Sequence, residues 1–215
     1  MRIEFNIPDI SQAGDFPDYW LKVMFIQSPS SRYQINALTS TYIRLVEAAV
    51  IEYRAGSTKL KEFWSTHNSI NLGAMHRSVS HFEACLSNMY RATNCFRRLR
   101  RDREQDPLSL KLNIEKAVFA GDAVTAKFRL IRNEIHHLEE MVMDGRISSG
   151  QPFALKPDGP EIAHPTEIGQ TIKTIDRLQI GEREVRFSEL AGWLDEMLIF
   201  ARRITDHLPN SKPSV

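Results

Sequence analysis

Within residues 129–146, RLIRNEIHHLEEMVMDGR, one short amphipathic stretch crowds Arg132, Asn133, His136, His137, Glu139 and Glu140 together. Each type has a clear chemical use. An imidazole passes protons near neutral pH, which suits either histidine to general acid or base work. The planar guanidinium of Arg132 forks two N–H groups toward a phosphate and its developing charge. The Asn133 amide orients an imidazole or binds phosphate. The plain structural use is a polar seam, in which Arg132, His136, Glu139 and Glu140 pair between packed helices.

The element that positions these groups reads as a long helix from about Leu112 to Met143, with Val124, Phe128, Ile131, Ile135, Leu138 and Val142 as its core stripe. At about 100° per residue the polar residues fan across the other side. Arg132 and His136 are i,i+4 neighbours, as are Asn133 and His137, whereas Arg132 and His137 diverge by about 140°. His136 therefore stands nearer Arg132 than His137 does.

Other residue groups carry weaker signals. The run RATNCFRRLRRDR places Arg91, Arg97, Arg98, Arg100, Arg101 and Arg103 at the end of a second long helix, with Asp102, Glu104 and Asp106 among and after them. Arg97, Arg98, Arg100 and Arg101 are candidates for tracking an RNA backbone, and equally cations favoured by the helix macrodipole. Glu134 and His137 form a Glu-x-x-His pair of the kind used by di-iron bundles, but the second pair, Glu161 and His164, lies between Pro160 and Pro165 in poor helical context. His76 and His81 lack the i,i+4 spacing of a zinc pair, and Cys85 and Cys95 read as reduced helix-packing residues. No glycine-rich phosphate loop, GxSxG or dinucleotide fingerprint occurs, so neither metal nor cofactor is expected.

The remaining segments supply a helical scaffold. Ile35, Leu38, Tyr42, Leu45 and Ala49, widened by Val46 and Val50, mark a buried helix that Gly56 weakens or ends. Leu72, Met75, Val79, Phe82, Leu86, Met89 and Phe96, with Thr93 in step, mark the clearest periodic run, closed before Pro107. After Gly145 prolines and glycines cluster. Leu178 and Ile180 before Gly181-Glu182, then Val185 and Phe187, predict a β-hairpin. Ser188 suits an N-cap for a last helix striped by Leu190, Leu194, Met197, Ala201 and Ile204 and ending before Pro209. The expected fold is mainly α: an up-and-down bundle of four to five principal helices over residues 1–215, with an irregular or β insertion at about 147–187.

The 215 residues are 42% hydrophobic and 26% charged, enough for a sizeable core. A net charge of +1, from 28 basic and 27 acidic residues, gives no global pull toward nucleic acid or an anionic membrane. No stretch approaches the uncharged run of about 18 apolar residues that would span a bilayer. The opening MRIEFNIPDISQAGDFPDYW breaks its apolar residues with acids and prolines, unlike a secretory signal. A cytoplasmic protein without membrane contact is the expectation.

The pattern Arg132-Asn133-x-x-x-His137 resembles the motif of the HEPN superfamily, an Arg, a polar residue often Asn, and a His on a late helix of a four- or five-helix bundle. The resemblance implies a metal-independent endoribonuclease that acts as a homodimer with a composite cleft. It assigns proton transfer to His137, phosphate stabilisation to Arg132 and an orienting role to Asn133, with His136 an alternative to His137. It also implies a toxin or phage-defence setting, with an antitoxin or other protein partner. The competing expectation is a non-catalytic helical interaction or RNA-binding protein of the same fold.

Overall fold

The computed structural model describes residues 2–11, 14–25, 28–64, 71–102, 106–147 and 152–207. In chain order these form β1 (Arg2–Phe5), α1 (Pro17–Phe25), α2 (Tyr33–Phe63), α3 (Leu72–Arg100), α4 (Pro107–Ile114), α5 (Asp122–His136) and α6 (Leu138–Met143), then β2 (Phe153–Pro157), β3 (Ile162–Ala163), β4 (Thr171–Ile180), β5 (Arg183–Arg186) and α7 (Phe187–Thr205). The fold is a mainly helical bundle with a small sheet ahead of the last helix, as expected from the sequence.

Helices α2 and α3 form an antiparallel hairpin, because their apolar stripes meet ring against ring. Tyr53 packs edge-on to Phe82 at 5.8 Å, and Tyr42 lies 5.4 Å from Phe96. Helix α7 lies alongside, Phe187 at 5.0 Å from Phe82 and Phe200 at 4.9 Å from Phe96. The Tyr42 hydroxyl donates to the Met197 carbonyl at 2.9 Å, satisfying a buried polar group between α2 and α7. Leu190, Leu194, Met197, Ala201 and Ile204 are all buried. Helix α5 runs antiparallel to both α3 and α7, tied by Arg97 to Asp122 at one end and by Phe128 against Trp193 at 5.1 Å further along.

Gly56 does not end α2. A Cβ there would stand 3.2 Å from the Phe82 ring, and the Gly56 carbonyl accepts from the Ser78 hydroxyl at 2.7 Å. The glycine sits at a close approach of α2 and α3.

The single long helix expected over 112–143 is three helices. Asp106 caps α4 by accepting from the Leu108 N–H at 3.0 Å, with Pro107 at the first helical position. The connector to α5 is pinned by Glu196 of α7, whose two carboxylate oxygens accept from the Val118 and Phe119 N–H groups, each at 2.8 Å. Phe119 is thereby seated in the core, 4.9 Å from Phe96. A second interruption falls at His137 (φ −117°, ψ 22°), and it rotates the stripe beyond it: Met141 is buried, whereas Val142 is half exposed.

The hairpin forms at the predicted turn, Leu178 opposite Val185 and Ile180 opposite Arg183. Phe187 begins α7 instead of ending a strand, and Arg186 takes the N-cap place expected for Ser188, its N–H bonded back to Glu189. The sheet is also larger than a hairpin. β4 is its centre: β2 and β3 pair with it antiparallel, while Arg2–Phe5 pairs with Ile172–Ile175 in parallel.

Candidate functional site

The residues of the Arg-Asn-x-x-x-His stretch divide between two tasks. Glu134 is buried and turned into the protein, where its carboxylate accepts from the Glu182 N–H at 3.3 Å and pairs with Arg183 at 3.5 Å. It docks the last turn of α5 on the β4–β5 turn, so it is not free for the Glu-x-x-His pair with His137. Ile131 is buried and Ile135 packs partly against the core.

The chemistry-bearing residues face outward. Arg132 is half-buried, and Asn133, His136 and His137 are exposed. The Arg132 guanidinium reaches the Asn133 side-chain oxygen at 3.4 Å, a weak link between neighbours. His137 occupies the junction of α5 and α6: its N–H bonds to the Asn133 carbonyl at 2.9 Å, and its own carbonyl accepts from Met141 at 3.0 Å. Its ring nitrogen Nδ1 meets Glu140 at 3.2 Å in an exposed i,i+3 pair. That carboxylate can orient the imidazole, as a carboxylate does beside a catalytic histidine. Arg132 and His137 are thus each engaged with another neighbour within one chain.

The arginine run splits in two. Arg97, Arg100 and Arg101, with Asn113, Ala120, Gly121 and Asp122, line an open cavity of about 250 Å³ where α3 ends and α5 begins. Arg97 donates to Asp122 at 2.7 Å, and Arg100 donates to the Asn113 carbonyl at 3.2 Å while lying over the Phe96 ring. Arg98 belongs elsewhere: with Arg91 and Arg44 it surrounds Cys95, whose thiol burial pushes up and those three cations pull down. Arg103 and Glu104 lie outside the described residues.

A second open cavity, about 320 Å³, continues from the first and shares Arg97 and Asp122 with it. It adds Tyr90, Asn94, Thr125, Ala126 and Arg129. Tyr90, Asn94, Arg97 and Arg101 step by four, three and four along α3, while Thr125, Arg129, Arg132 and His136 step by four, three and four along α5. Tyr90, Asn94 and Arg97 on one side and Thr125 and Arg129 on the other make a groove, and Arg132 and His136 continue the α5 spacing beyond its lining. Tyr90, Asn94, Thr125 and Arg129 are the site residues missed in the sequence. Their spacing is visible there, but only the antiparallel pairing of α3 with α5 makes the two stripes face each other.

The other candidates have structural partners. His81 pairs with Glu52 at 2.6 Å, and the His76 ring lies edge-on to Phe153 at 5.5 Å. Cys85 is fully buried beside Met89, and burial pushes its thiol far up. His164 Nδ1 accepts from the Glu167 N–H at 3.0 Å. Among the described residues no group of three or more His, Cys, Asp or Glu could hold a metal ion, and no helix is long and apolar enough to cross a membrane.

Comparison with known proteins finds no matching family model, no matching curated protein and no matching solved structure.

Proposed function

We propose that the chain is a metal-independent endoribonuclease of HEPN type, with His137 as its proton-transfer group and Arg132 on the scissile phosphate. In this reading His137 takes the proton of a ribose 2′-hydroxyl, whose oxygen attacks the adjacent phosphorus. The P–O5′ bond breaks, leaving a 2′,3′-cyclic phosphate and a 5′-oxygen that takes a proton from water, while the His137 imidazolium returns its own proton to solvent. Arg132 neutralises the charge gathering on the non-bridging oxygens. Asn133 orients phosphate or imidazole, and His136 is the alternative proton carrier.

The observation that carries the reading is a groove lined by Arg97, Arg100, Arg101 and Arg129, the last on the helix that also carries the half-buried Arg132 and the exposed Asn133, His136 and His137 within about two turns further on. A basic track beside exposed acid–base groups is what cleavage of a polyanion needs.

A homodimer completes the site. Arg132 and His137 are not joined within one chain, and the exposed Val142 and Met143 just beyond them offer apolar surface to a second copy. A toxin or phage-defence role, with an antitoxin or similar protein partner, follows from the same resemblance. The separate engagement of Arg132 and His137 also favours a second reading, a non-catalytic RNA-binding protein. Expression of wild type and His137→Ala, followed by growth and total RNA integrity, separates them. Degraded RNA with wild type alone supports cleavage; equally intact RNA from both supports binding without cleavage. His136→Ala decides which histidine acts.

A further inference from the structure

The groove between α3 and α5 holds more than positive charge. Its wider half brings together a partly buried aromatic ring, Tyr90, an amide, Asn94, and a hydroxyl, Thr125, beside the guanidinium of Arg97. The Thr125 Oγ1 is shielded from solvent and has no hydrogen-bond partner among the described residues.

The Arg97 side chain is 22% exposed and held by the Asp122 carboxylate, which is itself 93% exposed. An anion on a largely desolvated guanidinium, open to solvent on its far side, occupies the position a phosphate would take. Arg100 and Arg101 flank that position, and Arg129 lies in the adjoining half of the groove.

We propose that this groove is a subsite for one nucleotide unit of single-stranded RNA: a strand phosphate displaces Asp122 from Arg97, and the attached base lies against Tyr90 with its edge toward Asn94. The subsite rests on the reading of the chain as an RNA enzyme and gives its substrate a defined anchor. Stacking tolerates any base because each presents a π face, while the Asn94 amide adds a preference at the edge. A strand is favoured over a free nucleotide because the groove is open and cations line both halves. From Asp122 to His136 the helix rises about 21 Å. The anchored unit therefore lies several nucleotides from the reacting bond.

The test is fluorescence anisotropy of labelled oligouridylate and oligoadenylate on the full chain carrying His137→Ala, so that the strand survives. Arg97→Gln and Arg101→Gln are expected to weaken binding and to flatten the log–log salt dependence by about 0.7 per lost phosphate contact. Tyr90→Leu is expected to weaken it about tenfold at unchanged salt slope, with Tyr90→Phe close to wild type. Asp122→Asn is expected to tighten binding. The subsite is overturned if no oligonucleotide binds, or if Tyr90→Leu and Asp122→Asn leave affinity unchanged. It is also overturned if uridine monophosphate or a polyglutamate peptide competes as well as the strand does. Cleavage is scored separately on the His137 protein. Cutting that is indifferent to the groove variants removes the subsite and leaves the nuclease, whereas tight groove binding without cutting removes the nuclease and leaves the subsite.

Discussion

Glu134 lies across Gly181, at the turn that joins β4 to β5. The glycine has φ +55°, and a Cβ there would run into the Glu134 carboxylate. One residue inside RNEIHH therefore fixes the helix to the sheet while Asn133, His136 and His137 stay exposed. Glu134→Ala is expected to cost about 0.5–1.5 kcal/mol, because it removes the acceptor of the Glu182 N–H and the partner of Arg183, both on exposed residues. Gly181→Ala is expected to cost about 1–2 kcal/mol for the left-handed conformation, plus the crowding. Urea unfolding measures both. A stability equal to wild type in either variant would contradict the docking role.

Gly56→Ala sets two effects against each other. Helix propensity favours alanine by about 1 kcal/mol, and overpacking costs about 1–3 kcal/mol. Packing should win, because the ring that a new Cβ would meet, Phe82, is fully buried between Tyr53 and Phe187. Thermal unfolding should show a melting temperature lowered by a few degrees. A rise would mean that α2 and α3 can separate without loss.

Glu196→Ala should loosen the connector that leads into α5, since both carboxylate oxygens are used on its N–H groups. The expected loss is about 1.5–3 kcal/mol for charge-assisted bonds, reduced by the exposure of Val118. Hydrogen exchange at Val118 and Phe119 should accelerate while the α2–α3 hairpin stays protected. Unchanged exchange at both sites would refute the pinning.

Asp195 supplies a pH prediction with a definite sign. Burial raises its pKa above the ordinary 3.8, and its Oδ1 has no hydrogen-bond partner among the described residues. The folded state therefore favours the neutral acid. That contribution is whole below the unfolded pKa and is lost as pH rises through the folded one. Asp195→Asn should be more stable than wild type at neutral pH and indistinguishable below the carboxylate range. Melting curves at the two pH values check it, and an advantage that persists in acid would be inconsistent with a titration origin.

Much of the scaffold was legible because amphipathic helices record their buried face at a fixed period. The stripes of α2, α3 and α7 were found this way, and the Gly181-Glu182 turn showed its hairpin through alternation. Three features escaped for physical reasons. The interruption at His137 involves neither proline nor glycine, so no local signal marks it. The parallel pairing of Arg2–Phe5 with β4 joins segments too far apart in sequence for any short window. Gly56 was misread because a glycine serving a close helix approach looks in sequence like a helix breaker. Within the site, Arg132, Asn133, His136 and His137 were identifiable by type, and their exposure was not. Arg98 was grouped with its neighbours by sequence, yet its helical angle carries it toward Cys95 and away from the groove.

The most direct measurement is cleavage of a single-stranded RNA by purified protein in excess chelator, comparing wild type with His137→Ala. We predict that wild type yields fragments ending in 2′,3′-cyclic phosphate and 5′-hydroxyl, and that His137→Ala lowers the rate by about 100-fold or more, the usual worth of positioned acid–base catalysis. Intact RNA with wild type across several substrates, or equal cleavage by the two proteins, would contradict the account.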